Sequence, residues 1–297
     1  MSQISASDVK TLREMTGAGM MDCKKALAEV GGNLDAAVDY LRKKGLSAAA
    51  KKADRVAAEG LVAAISGGNA GVVLEVNSET DFVSKNDKFQ AFVAKVAEVI
   101  LANDPADVES LKALPYGDGN NVGETLTALI ATIGENMSIR RFQRLSVNSG
   151  LVAAYIHGGG KIGVLVAIEG NAAALGDVGR GVAMHVAAAN PRFVARTDVD
   201  AASIERERAV LTERAAASGK PANILDKIVE GQMGKFYADV CLLEQGYVID
   251  PDLTVGKAVA AADKGATVTA MARFQLGEGL AKREENFAAE VAAAVQG

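Results

Sequence analysis

The apolar residues of the first 45 positions recur at the three- and four-residue spacing of amphipathic helices. Glycine-containing breaks divide this stretch into three predicted helices, because glycine accepts the positive φ that ends a helix. The second helix is predicted from about Met20 to Val30, and the third is predicted to stop at Gly45. The apolar faces contain Val9 and Leu12 in the first helix; Met20, Cys23, Leu27 and Val30 in the second; and Leu34, Val38 and Leu41 in the third.

Two later stretches repeat one pattern of apolar runs around a glycine-rich turn. Residues 60–74 read GLVAAISGGNAGVVL, and residues 150–166 read GLVAAYIHGGGKIGVLV. Apolar β-branched runs around such a turn predict a β-hairpin. Each hairpin is followed by an Ala- and Val-rich helix, predicted to stop at residues 103–105 or 190–191. The repeat therefore predicts two related units, each an antiparallel sheet backed by helices, and leaves their mutual packing open.

The remaining segments complete the predicted secondary structure. Between the repeats we predict a helix from about Gly123 to Asn136 and a strand with a basic tip at 139–142. Residues 199–235 predict an antiparallel helical hairpin, since two thin apolar stripes flank a break at 218–221. The last predicted elements are strands at 237–243 and 248–249, a helix near 254–263, a strand at 267–275 and an amphipathic helix from about Leu280 to Val295.

Together these elements predict an α+β fold with five parts. They are an N-terminal three-helix module, a core of two related antiparallel-sheet-plus-helix subdomains, an inserted helical hairpin and a C-terminal helix. The predicted boundaries are 1–55 for the module with its linker, 56–148 for the core N-subdomain, 149–198 with 236–276 for the core C-subdomain, 199–235 for the hairpin and 277–297 for the C-terminal helical module.

Composition narrows the classes of function. The 297 residues carry a net charge of −5, which argues against a dedicated nucleic-acid binder. Aromatic residues make up only 4% and tryptophan is absent, so Ala, Val, Leu and Ile must build the core. Residues 1–55 carry a net charge of +3 and the remainder −8. The basic residues of the linker predict either a solvated face or attraction to an acidic partner.

The cysteines, histidines and apolar runs predict a cytoplasmic protein without metal or membrane span. Cys23 and Cys241 lie far apart, which predicts no disulfide framework and favours a reducing compartment. His157 and His185 are too few for a zinc site. The N-terminus lacks the apolar core of a signal peptide, and apolar runs stay below the roughly 18 residues of a membrane span.

A search for catalytic groups predicts a protein that works by binding. Residues 158–161, GGGK, imitate a phosphate-binding loop but are predicted to lie between two strands, whereas such a loop precedes a helix. Cys23 is interpreted as a core residue and His185 as a partly buried helix residue. We therefore predict no catalytic residue, no metal site and no cofactor.

The most unusual surface pattern is residues 77–87, NSETDFVSKND, which connect a predicted strand to a predicted helix. Here Phe82 stands among polar and charged neighbours. One interpretation is that Phe82 folds back onto the following helix as a hydrophobic staple. The other is an apolar wedge beside the Asp81 carboxylate, presented to a partner, because aromatic anchors often dominate interface energies.

Several motifs resemble the elongation factor Ts family of bacterial translation, in family order and over essentially the whole chain. Residues 12–27, LREMTGAGMMDCKKAL, are similar to the first family motif, and residues 75–83, EVNSETDFV, to the second. The further matches are Gly134-Glu135-Asn136, Arg140-Arg141, Tyr155-Ile156-His157, residues 162–166, residues 183–187, Ser218-Gly219-Lys220-Pro221 and residues 273–279.

This resemblance implies a guanine-nucleotide exchange factor for elongation factor Tu, in its GDP-bound and nucleotide-free forms, with no direct nucleic-acid or membrane contact. It implies that residues 1–55 form a ubiquitin-associated-like module that docks on the partner's nucleotide domain through Arg13, Met20 and Met21. The resemblance also assigns magnesium displacement to Thr80, Asp81, Phe82 and Val83, with the Phe82 ring inserting between partner helices and Asp81 supporting it.

The same resemblance places His157 on a loop that contacts the partner's third domain. The helical hairpin resembles the family's coiled-coil arm, and a homodimer through this arm stays open. Two other classes of function compete with the exchange factor. One is a generic binding module carried by residues 1–55, and the other is a small-molecule enzyme using Asp81 with His157 or His185.

Overall fold

The computed structural model describes residues 4–117, 119–217 and 221–281. Helices and small antiparallel sheets together confirm the predicted α+β class. The helices of the described residues are α1 (Ala6–Thr16), α2 (Met20–Glu29), α3 (Leu34–Ala50), α4 (Asp81–Ser84), α5 (Asp87–Asn103), α6 (Val108–Ala113), α7 (Val122–Ile133), α8 (Ala172–Ala189), α9 (Ala201–Ala216), α10 (Ala222–Val240) and α11 (Val255–Ala262). None of these helices is long and apolar enough to cross a membrane.

Each predicted hairpin is present and gains a third strand from farther along the chain, which confirms the repeat. One sheet has the order β1-β2-β5, another has the order β6-β7-β8, and β3 pairs with β4 in a small ribbon. The strands are β1 (Glu59–Ser66), β2 (Ala70–Ser78), β3 (Pro115–Gly117), β4 (Asn120–Asn121), β5 (Met137–Ser146), β6 (Gly150–His157), β7 (Ile162–Glu169) and β8 (Thr267–Gln275). The predicted helix ends also agree, because α5 and α8 stop at Asp104 and Asn190, both in the left-handed conformation.

The chain forms two compact units. The first comprises Met1–Leu61, Leu74–Phe142 and Gln275–Gly297, and the second comprises Val62–Val73 and Gln143–Phe274. The five-part division made from the sequence stays a prediction.

The three-helix module has the small core that its apolar spacing predicts. The buried residues are Val9, Leu12, Cys23, Ala26, Leu27 and Ala37. Ser5 begins α1 with a capping box, in which its side chain and that of Asp8 satisfy each other's backbone N–H groups. Gly17 ends α1 at φ +65°, as the break predicted.

Two details of the module correct the sequence analysis. Met20 is not part of the apolar face, because it is the first residue of α2 and is 59% exposed. Gly45 does not stop the third helix, which continues to Ala50. Gly45 is buried, and a Cβ at this position would lie 3.5 Å from the Cβ of Ala131 on α7. Such a distance is an ordinary contact, so Gly45 is a buried position inside α3, near α7, and does not mark a helix end.

The repeat extends to the backbone conformation of its first glycine. Gly60 at β1 has φ +125°, and a Cβ there would lie 2.2 Å from the carbonyl oxygen of Val76. Gly150, the equivalent residue of β6, has φ +142° and would place a Cβ 2.0 Å from the carbonyl oxygen of Ile168. Both hairpins thus require glycine at the same point, for conformation and for space.

Within the second unit, the two hairpin ends are joined by reciprocal hydrogen bonds. The Val62 N–H donates to the Gly160 carbonyl, and the Val152 N–H donates to the Gly68 carbonyl, each at 2.8 Å. Val62 and Val152 are equivalent positions of the repeat. These two hydrogen bonds show how the two hairpins contact each other within the second unit, which the sequence had left open.

We expect Gly150→Ala to lower the free energy of unfolding by about 2–4 kcal/mol, because the new Cβ meets a backbone oxygen in a strained conformation. Gly176→Ala is the matched control, since Gly176 is an exposed residue of α8 whose added Cβ would meet no other atom within 4 Å. The control should gain about 0.5–1 kcal/mol from helix propensity. Urea unfolding of both variants measures the difference, and equal stabilities would contradict the argument.

The helical hairpin is present as α9 and α10, but its second helix is longer than predicted. Residues 237–240 belong to α10, and Leu242–Glu244 form a 3₁₀ turn, so the predicted strand at 237–243 is wrong. The reason is that Phe236 and Tyr237 continue the apolar stripe that packs on α9. The predicted strand at 248–249 is also absent, and both of its residues are exposed. The break at 218–220 and the predicted C-terminal helix beyond 281 lie outside the described residues.

Candidate partner-binding surface

The strand-to-helix connection folds as the single turn α4, which presents Phe82 to solvent. Phe82 is 76% exposed, whereas its neighbour Val83 is 3% exposed. Successive helical residues point about 100° apart, so one turn can bury Val83 and expose Phe82. The staple interpretation of Phe82 is therefore wrong, and Val83 is the buried apolar residue of the turn.

Hydrogen bonds at the C-terminal end of α4 fix its backbone. The Ser84 hydroxyl donates to the Asp81 carbonyl at 2.6 Å, and the Gln90 side chain donates to the Ser84 carbonyl at 2.9 Å. The Asn86 side chain then caps α5 by accepting from the Lys88 and Phe89 N–H groups. The α4 turn is thus hydrogen-bonded to the start of α5, although the Phe82 side chain is exposed to solvent.

The charges around Phe82 are exposed and weakly paired. Lys85 Nζ lies 3.7 Å from Asp81 Oδ2 and 5.9 Å from the centre of the Phe82 ring. Such solvated contacts contribute little to stability and are easily exchanged for others. The surface therefore combines the exposed Phe82 ring with the Asp81 carboxylate, whose ion pair with Lys85 is weak and can be exchanged for another.

In the three-helix module, the residues assigned to the partner also lie on the surface. Arg13 is exposed, and Met20 and Met21 are 59% and 63% exposed. The turn between α1 and α2 lies beside the start of α5, because a Cβ at Gly17 would lie 3.6 Å from Lys88 Nζ. Within the first unit, the module and the α4 turn thus both adjoin the N-terminal end of α5.

His157 lies in the second unit, at the last position of β6. Its partner across the hairpin is Ile162, and the three intervening glycines all have positive φ. The ring is exposed, and its Nδ1 lies 3.1 Å from the Tyr155 hydroxyl. The turn confirms that this glycine-rich stretch lies between two strands and precedes no helix.

Comparison with known proteins gives the family. Residues 79–278 match the family model described as Elongation factor TS. A protein of Magnetococcus marinus named elongation factor Ts is 59% identical over 99% of both chains. One of Syntrophotalea carbinolica with the same name is 56% identical over 98% of both chains. This chain belongs to the elongation factor Ts family. The resemblance inferred from the motifs is confirmed.

Family membership gives the chain a role in translation elongation. The family model begins at Glu79, so it includes the α4 turn and His157 but not the three-helix module. The full-length relatives extend the similarity across the module as well. No residue among those described forms a cluster of three or more metal-binding side chains.

The sequence analysis missed two features of this surface. Met15 is 58% exposed, so the described residues of the module include three exposed methionines, Met15, Met20 and Met21, rather than the two that were predicted. Glu135 was noted only as part of a motif, but its carboxylate accepts hydrogen bonds from the backbone and hydroxyl of Thr80. Only the tertiary structure brings these two residues, 55 positions apart, into contact.

Proposed function

We propose that the protein is a guanine-nucleotide exchange factor that binds elongation factor Tu in complex with GDP, displaces its magnesium ion and promotes GDP release, so that GTP can bind. The observation that carries this proposal is the exposure of Phe82 on a hydrogen-bonded turn beside Asp81. An exposed phenyl ring on a hydrogen-bonded turn can serve as an aromatic anchor, and such anchors often dominate the binding energy of an interface.

In this mechanism the binding energy of the factor replaces that of the nucleotide. Phe82 inserts between partner helices near the metal, Asp81 supports it, and Thr80 and Val83 hold the turn behind them. By linkage, a factor that weakens GDP binding is weakened by GDP to the same degree. No covalent bond is made or broken by the protein, so the mechanism needs neither a catalytic residue nor a cofactor.

Two further contacts widen the proposed interface. Residues 1–55 dock on the partner's nucleotide domain through Arg13, Met20 and Met21, which is supported by the exposure of these side chains. His157 contacts the partner's third domain, supported by its position at the exposed end of a hairpin. The division of the chain at residues 55, 148, 198, 235 and 276, drawn from the sequence pattern, is part of the same proposal. The site of action is the cytoplasm, where elongation takes place.

The decisive experiment follows the release of a fluorescent GDP analogue from purified elongation factor Tu at fixed magnesium. We expect release to accelerate strongly when the full chain is added. A folded chain that leaves the release rate unchanged would contradict the proposal and would favour a generic binding module. Residues 1–55 alone should bind weakly and not accelerate release, because the proposed wedge lies outside them.

A further inference from the structure

Two pairs of adjacent residues form a crossed set of hydrogen bonds directly behind the α4 turn. The Glu135 carboxylate accepts from the Thr80 N–H at 2.9 Å and from the Thr80 hydroxyl at 2.7 Å. In the opposite direction, the Glu79 carboxylate accepts from the Asn136 N–H at 2.5 Å. Each pair thus satisfies a backbone donor of the other. We call these four residues, Glu79, Thr80, Glu135 and Asn136, the crossed clamp.

The crossed clamp takes the place of a local helix cap. A threonine that precedes a helix usually accepts a hydrogen bond from the helix backbone through its hydroxyl. Thr80 precedes α4 but makes no such bond, and its hydroxyl instead donates to Glu135. The first residue before α4 is therefore hydrogen-bonded to the segment between α7 and β5 instead of to the backbone of α4.

The crossed clamp also reaches the segment that follows the three-helix module. The Asn136 side chain donates to the carbonyls of Ala53 and Arg55, at 3.3 and 2.8 Å. The Arg55 guanidinium lies 3.4 Å from the Glu79 carboxylate. Asn136 is buried, and only 17% of the Glu79 side chain is exposed. Charge-assisted bonds in such a site are stronger and more directional than those of solvated pairs.

From this geometry we infer that Glu135 is a positioning residue for Phe82. We also infer that the crossed clamp couples the orientation of the Phe82 ring to the position of residues 53–55, which follow the three-helix module. The inference rests on the proposed function, because it concerns how the ring is presented. If the Phe82 ring enters a narrow site on the partner, a fixed orientation of the ring should speed nucleotide release, since small errors in position lower a rate by large factors. The carboxylate of Glu135 acts through Thr80 and needs no contact with the partner.

The test is a double-mutant cycle on nucleotide release, measured at saturating concentrations of the factor. We expect Glu135→Ala to slow stimulated release about tenfold when Phe82 is intact. In a Phe82→Ala background, the same change should slow release less than about twofold, because there is no ring left to position. Glu135→Gln, which keeps one carbonyl acceptor for the Thr80 N–H, should lie between the wild type and Glu135→Ala.

Asp107→Ala serves as the matched control. The Asp107 carboxylate accepts from the Ser110 N–H at 2.7 Å, so this variant also loses a carboxylate that caps a backbone donor in the first unit. The control should lose stability without slowing release. If Glu135→Ala slows release equally with and without Phe82, or leaves it unchanged when Phe82 is present, the inference is overturned. If instead Phe82→Ala alone has no effect, the proposed wedge fails and not the crossed clamp.

Discussion

Phe82→Ala is expected to slow stimulated GDP release by about 10- to 100-fold while leaving the stability of the protein unchanged. The expected loss corresponds to roughly 1.4–2.8 kcal/mol, the range of a strong aromatic anchor at an interface. The fold should tolerate the change because the ring is 76% exposed and fills no core site. Stopped-flow release of a fluorescent GDP analogue and thermal unfolding measure the two effects separately.

Phe89→Ala provides the contrast within the same unit. Phe89 lies seven positions farther on, is fully buried, and should cost about 3–5 kcal/mol of stability when truncated. Ile249→Ala controls for the loss of an exposed apolar residue, since Ile249 is 59% exposed in the second unit. A Phe82→Ala variant that unfolds like Phe89→Ala, with unchanged release per folded molecule, would contradict the proposed role of the ring.

The contrast between Phe82 and Val83 shows how much of the candidate site can be predicted from the sequence. The motif identified the segment, but an apolar side chain between polar neighbours fits either a staple or a wedge. The choice depends on the rotation of a single helical turn, whose two ends are hydrogen-bonded to the side chains of Glu135 and Gln90. Those contacts are tertiary, so spacing along the chain cannot reveal them.

The same limit explains the errors at Gly45 and at residues 237–243. Glycine ends helices often, and nothing local distinguishes Gly45 from such an end; in the structure Gly45 is buried inside α3, near Ala131 of another helix. Residues 237–243 include Tyr237 and Val240, which favour strands, but the stripe shared with α9 keeps Tyr237 helical. By contrast, the repeated hairpins and the ends of α5 and α8 were predictable, because their signals are short-range and occur twice.

The charge network inside the first unit was equally hidden in the sequence. Glu75 stands in the middle of β2 and is completely buried, where a carboxylate is rare unless paired. Arg140 donates to it at 3.0 Å and Arg141 at 2.7 Å, both from β5. The Gly277 N–H donates as well, at 2.8 Å, and so ties the residues after β8 to the strand.

These contacts determine the protonation of Glu75. Burial by itself raises the pKa of the carboxyl and is the largest single influence. The hydrogen bonds from Gly277, Arg141, Arg140 and Asn77 together outweigh burial, so the pKa of Glu75 is lower in the folded protein than its ordinary value. The carboxylate is therefore charged at neutral pH and pairs with both arginines.

We expect Glu75→Gln to lower the free energy of unfolding by about 3–5 kcal/mol at pH 7, because two partly buried guanidinium groups lose the buried carboxylate that they share. Glu98→Gln is the control, since Glu98 is an exposed partner of Lys95 and should change stability by less than about 0.5 kcal/mol. Urea unfolding of the three proteins measures these differences. A Glu75→Gln variant as stable as the control would show that the network is not important for stability.

The difference between Glu75→Gln and the wild type should also depend on pH. Because the folded pKa of Glu75 is depressed, its stabilisation is fully present above the unfolded value of about 4.3 and disappears as pH falls through the folded pKa. The wild type should therefore lose its advantage over Glu75→Gln in acid and keep it from about pH 6 to 8. A difference that grows as the pH falls would mean that Glu75 is protonated in the folded protein, with burial outweighing the arginines.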